Sequence, residues 1–147
     1  MRLDQNTLRK LIPHTGRMCL LDSVESWDEQ RITCTARSHH SADNPLRSKS
    51  GLSAINALEY GAQAMALHGG LCAQKRGERI SKGYIVAFRE AEFYVERLDL
   101  AAQPLILEAT RLIAADASQI YQIKVSATGF PIAQARISVI NIVESNR

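Results

Sequence analysis

The chain has 147 residues, 46% of them hydrophobic and 22% charged, enough for one domain with a packed core and too few for two. Aromatic residues make up only 5%, so that core must be mainly aliphatic. The net charge of +3, with no Lys/Arg cluster interleaved with aromatics, argues against nucleic acid as a partner, and no apolar run approaches the roughly 20 residues that span a bilayer.

The start, "MRLDQNTLRKLIPHTG", carries charges and no continuous apolar block, so no signal peptide is expected. "LDQNTLRKLI" reads as a short amphipathic helix with Asp4 or Asn6 as cap, ended by Pro13. Met18 to Asp28 reads as a strand, "DEQ" as a tight turn, and "RITCTARSH" as a second, half-buried strand of a hairpin. Ser41 to Gly51 is dense in Ser, Asn, Asp, Pro and Gly, so it is a loop.

From about Leu52 to Leu71 the apolar spacing predicts one long helix, stopped by Gly69 and Gly70. Ala54, Ala57, Gly61, Ala62, Ala64 and Ala66 make it thin, so a curved sheet can approach it closely. Glu59 is the one acid in "NALEYGAQAMALHGG". Either Glu59 stands on an exposed edge of the helix, or, as its neighbours Leu58, Tyr60, Gly61 and Ala62 favour, it is a buried acid with a partner or a task. "CAQKRGERISK" reads as a polar connection.

Four strand-like runs follow: "GYIVAFREAEFYV", "PLILEATRLIAAD", "SQIYQIKVSAT" and "PIAQARISVINIV", with turns at "ADAS" and "TGFP". Together these predict a hairpin, one central helix and an antiparallel meander, an α+β architecture in a single domain over residues 1–147.

Cys19, Cys34 and Cys72 are odd in number and widely spaced, so neither a disulfide framework nor a Cys-x-x-Cys metal site is expected. Reduced thiols buried in a cytoplasmic protein are the plain reading. Basic residues gather at Arg47 and Lys49, and again at Lys75, Arg76, Arg79 and Lys82. They are either solvated loops or a surface suited to an acidic protein or a phosphate-bearing ligand.

This order of elements, with one acid near the middle of a thin helix, resembles the hotdog fold. "LIPHTGRMCLLDSV" is similar to the N-terminal signature of 3-hydroxyacyl-[acyl carrier protein] dehydratases, and "ALEYGAQAMALHG" is similar to their central helix. The family's Glu, and the Gln four residues later, fall on Glu59 and Gln63. "NPLRSKSGLSAINALEYGAQAMALHG" looks closer to the dehydratase-like subunits of aryl polyene pigment clusters. There is one departure. In the main family a Gly-His-Phe-Pro segment supplies the catalytic histidine 14 residues before the glutamate, and that count reaches Pro45 here. The nearest histidines are His39 and His40. The resemblance to the pigment-cluster branch favours His39, whereas strand parity groups His40 with Ile32, Cys34 and Ala36.

The resemblance implies removal of water from a 3-hydroxyacyl thioester held on the phosphopantetheine arm of an acyl carrier protein, with no metal or other cofactor. The base would be His39 or His40, because imidazole titrates near cellular pH. The acid would be Glu59, whose proton an apolar wall retains. Gly51 and Leu52, at the expected helix N-terminus, would polarise the thioester carbonyl, and Gln63 would hold the Glu59 carboxylate. A homodimer, or a heterodimer with another hotdog subunit, is implied, with acid and base contributed across the interface and an acyl tunnel beside the helix. His14 reads as structural, His68 as a helix-end residue, and Asp22 as ordering the first strand. Two other readings use the same scaffold. One is a non-catalytic partner of an active subunit, which the missing loop histidine favours. The other is a thioesterase in which the helix carboxylate activates water.

Overall fold

The structure is a computed structural model that describes residues 2–11, 18–78, 82–115 and 117–142. His14, Pro13 and Arg79 lie outside the described residues. Helix α1 spans Gln5–Leu11, and Asp4 caps it by accepting the Thr7 N–H at 3.0 Å. Strand β1 covers only Ser23–Trp27, shorter than its sequence predicts. Asp28 closes the hairpin by accepting the N–H groups of Gln30 and Arg31. Strand β2, Arg31–Ala36, then stops early, because Arg37 leaves extended geometry (φ −121°, ψ −4°) and the chain enters a 3₁₀ turn over Ser38–His40. Strand parity therefore does not reach the histidines. His39 is the buried one and His40 is exposed.

The long helix α2 is displaced toward the C-terminus relative to the sequence reading. A 3₁₀ turn over Ala54–Asn56 leads into α2 at Ala57–Lys75. Gly69 and Gly70 do not stop it. Each Gly costs a helix about 1 kcal/mol, but the turn beyond them carries Leu71, Cys72 and Ala73, all buried. The stop comes at Gly77, in the left-handed region at φ +69°. His68 accordingly stands inside the helix and not at its end. Buried residues lie on nearly every side of α2, as befits a helix enclosed by sheet. A Cβ at Gly61 would meet the Ile123 side chain, with 3.1 Å to its Cβ, so the thinness seen in sequence is used where α2 crosses the sheet.

Strands β3 (Lys82–Phe93), β4 (Leu105–Ala114), β5 (Ser118–Ala127) and β6 (Phe130–Ile142) complete one antiparallel sheet, in the order β1-β2-β4-β5-β6-β3. Only β4 to β6 form the expected meander. β3 crosses to the far edge and pairs with β6, while β4 pairs with β2. The inward positions of β2, β4, β5 and β6 (Ile32, Cys34, Leu107, Tyr121, Ile123, Ile137) form a core around α2. All three cysteines are buried and free, and burial pushes the Cys34 thiol up to about 12. Helix α2 packs on β2, β4, β5 and β6. On β3, Ile85, Phe88 and Phe93 face the same way as the buried Val139, Ile137 and Ala133 they pair with, yet each stays about two-fifths exposed. No helix among the described residues is long and apolar enough to cross a membrane.

Candidate active site

Glu59 lies in the first turn of α2 and is half-buried. One turn later Gln63 is almost wholly buried, and its amide is fully engaged. Nε2 donates to the Met18 carbonyl at 2.7 Å and toward Glu59 Oε1 at 3.4 Å, while Oε1 accepts the Leu20 N–H at 2.9 Å. Gln63 thus ties the segment before β1 to the helix and touches the carboxylate on the way.

His39 is fully buried in the 3₁₀ turn that follows β2. Its Nε2 stands 3.0 Å from the Ala101 carbonyl. A carbonyl only accepts, so Nε2 carries the proton and Nδ1 is the basic lone pair. That Nδ1 is buried with no hydrogen-bond partner among the described residues. Burial pulls the His39 pKa below its ordinary value, against the opposing pull of the Ala101 carbonyl. His40 directs its Nε2 to the same carbonyl from the exposed side, and the two rings lie 3.9 Å apart.

Tyr60 joins the two halves of the site. It follows Glu59 in the helix, and its hydroxyl donates to Ser38 Oγ (2.6 Å), the residue before His39. Ser38 Oγ itself donates to the Leu20 carbonyl at 2.8 Å. Asn44 Nδ2 donates to the Tyr60 oxygen at 2.9 Å and to the Ser38 carbonyl, so the loop is fastened to the same point. Burial pushes the Tyr60 phenol up.

Gly51 and Leu52 do not stand at the helix N-terminus. The chain there pairs with the segment after β3: Leu98 N–H donates to the Leu52 carbonyl, and Ala54 N–H donates to the Glu96 carbonyl. This pairing holds residues 52–54 extended or in a 3₁₀ turn and delays α2 to Ala57. The Gly51 N–H goes to the Ser48 carbonyl at 3.1 Å and the Leu52 N–H to Asp99 Oδ1 at 3.0 Å. Neither is available to a thioester carbonyl in this arrangement. Gly51 is needed for another reason. It has φ +105°, and a Cβ there would collide with Arg97 and Asp99. Asp99 gathers this corner. It accepts from Arg97 (2.6 Å), Arg47 (3.4 Å) and Leu52 N–H, and the Arg97 hydrogen bonds hold its carboxyl far below the usual carboxylate range. Nothing in the sequence marks Asp99, Tyr60 or Asn44 as site residues, and it offers Arg47 only as one charge of a basic loop. Asp99 lies in an ordinary polar stretch, and only its contacts mark it.

A second buried polar group lies deeper along α2. His68 accepts the Tyr121 hydroxyl at Nδ1 (2.7 Å) and donates from Nε2 to the Asp28 carbonyl (2.8 Å). Burial lowers its pKa, and also pushes the Tyr121 phenol up to about 12. The ring bridges the β1–β2 turn to β5 from inside the helix, so it is not a helix cap.

A six-stranded antiparallel sheet wrapped around one long helix is the hotdog fold, and solved structures agree. A chain of a dehydratase heterocomplex, ApeI:P from Xenorhabdus doucetiae, is 20% identical, with a TM-score of 0.80 over 93% of this chain and 91% of that one. AziG from S. sahachiroi is 16% identical, TM-score 0.63, over 91% and 99%. A thioesterase from Haemophilus influenzae is 17% identical, TM-score 0.67, over 99% and 96%. At these identities the likeness is one of fold. No curated protein matches the chain. The family model described as ApeP dehydratase matches residues 6–147, and the chain belongs to this ApeP-like dehydratase family.

Proposed function

We propose that the chain removes water from 3-hydroxyacyl thioesters on an acyl carrier protein, giving trans-2-enoyl thioesters in polyene-type biosynthesis, with His39 as base and Glu59 as acid. The observation that carries this assignment is the buried, unpartnered Nδ1 of His39, whose tautomer the Ala101 carbonyl fixes. A lone pair of that kind takes the proton next to the thioester carbonyl. Glu59, braced by Gln63, protonates the leaving hydroxyl. No cofactor is needed beyond the phosphopantetheine arm, and a cytoplasmic location fits the free thiols.

The working unit in this reading is a dimer. β3 is a sheet edge with a half-exposed apolar inner face at Ile85, Phe88 and Phe93, and a second hotdog subunit of the same or another sequence would cover it. The solved ApeI:P chain comes from a heterocomplex, which favours a second reading in which this chain supports an active partner. One assay separates the two. Enoyl product from a 3-hydroxyacyl carrier-protein substrate is followed with the wild type, Glu59→Gln and His39→Ala, each alone and with any hotdog subunit that co-purifies. Loss of at least a hundredfold in both variants supports the acid–base assignment. A folded wild type that is inert alone, joined to a partner whose activity survives both substitutions, replaces it with the supporting role.

A further inference from the structure

Arg47 belongs to a loop whose basic residues the sequence offers as a docking surface or a solvated edge. The structure shows neither use for this one. Its guanidinium donates from Nη2 to the His39 carbonyl at 3.0 Å, from Nε to the Ser41 carbonyl at 3.1 Å, and from Nη1 to Asp99 Oδ2 at 3.4 Å. The Arg47 side chain is only 25% exposed and that of Asp99 only 7%. Two residues after Asp99 stands Ala101, whose carbonyl holds the His39 ring. The contacts therefore close a ring: His39 backbone to Arg47, Arg47 to Asp99, two residues along the chain to Ala101, and Ala101 back to the His39 imidazole. Asp99 is itself pinned by Leu52 N–H and Arg97, so the ring is anchored to the approach to α2.

We propose that Arg47 and Asp99 are positioning residues for His39. They fix its backbone and the carbonyl that accepts its Nε2–H, and so aim Nδ1. A planar guanidinium can serve three acceptors lying in different directions from one site. An ammonium in its place lacks that fixed fork, so lysine is not equivalent. The inference rests on the reading of His39 as the base, and its test separates the two.

The probe is the ring N–H proton of His39, visible by NMR while its hydrogen bond shields it from exchange. It is assigned by its absence in His39→Ala and recorded about two pH units above the ordinary imidazole value of about 6.5, where the ring is neutral. The His68 ring N–H, on the Asp28 carbonyl, serves as internal control. In Arg47→Met and in Asp99→Asn the His39 signal is expected to vanish while the His68 signal persists. In the active assembly kcat should fall by about a hundredfold with KM little changed. Arg47→Lys should lie between, and it replaces Arg47→Met if that variant does not fold. An unchanged His39 resonance with unchanged kcat in folded variants overturns the positioning role. Loss of the resonance in a protein whose activity also survives His39→Ala keeps the clamp and overturns the base assignment instead.

Discussion

Replacing Gln63 by leucine tests the joint between stability and site. The side chain is similar in size, so no large cavity opens, and what is lost is polar. The Leu20 N–H and the Met18 carbonyl each lose their side-chain partner. A buried backbone group left unpaired costs about 1–3 kcal/mol. Leu20 is fully buried and carries that cost whole, whereas Met18 is half-buried and can turn to water. The expected loss is about 2–4 kcal/mol, a large share of the roughly 5–15 kcal/mol that keeps a domain folded. Urea unfolding with the slope unchanged measures it. Gln63→Glu sharpens the test. A carboxylate still accepts the Leu20 N–H but sets an oxygen against the Met18 carbonyl in a buried place. Its folded pKa should therefore rise above the unfolded value of about 4.3. A group raised in this way stabilises most below its unfolded pKa and loses that contribution as pH climbs through the folded one, so this variant should recover toward acid. A Gln63→Leu protein within about 0.5 kcal/mol of wild type, the range of ordinary surface changes, would refute the bracket.

The remaining predictions concern pH and docking. His39 and His68 are both depressed by burial, His39 facing His40 and Asp22 and His68 facing Arg111 and Asp28, so each binds its proton less well folded than unfolded. Their contribution is complete above about 6.5 and is lost as pH falls through the folded values, and unfolding free energies that stay flat or rise from about pH 7 to 5 would contradict this. For docking of an acidic carrier, Lys49 is the better candidate than Lys75. Lys75 lies sixteen residues along α2 from Glu59, about 24 Å at 1.5 Å per residue, and pairs with Glu29 at 3.7 Å. Lys49→Glu should raise KM for carrier-bound substrate several-fold at low salt and leave a small thioester mimic unaffected, while Lys75→Glu should do little. Equal effects of the two charge reversals would remove the preference for the loop.

The sequence by itself determined much of this protein. The helical spacing from Leu52 to Leu71, the small residues along it and the strand-like runs after it specify a sheet closed around one thin helix, because period and side-chain volume are local properties. Glu59 and Gln63 were also legible, being one turn apart on that helix. The ends of elements were not. Pairing of residues 52–54 with 96–98 delays α2, and burial of Leu71, Cys72 and Ala73 carries it past two glycines. Both are contacts with distant chain. Crossing of β3 to the far edge is equally invisible, since a strand's own pattern does not name its neighbour. Tertiary structure alone chose His39 over His40 as the buried ring, set its Nε2–H to donate to a carbonyl 62 residues away, and turned Arg47 from a surface charge into a contact of the His39 backbone. Hydrogen bonds to backbone carbonyls carry no side-chain signature at the accepting position, so the partner of each such bond becomes known only when the chain is folded.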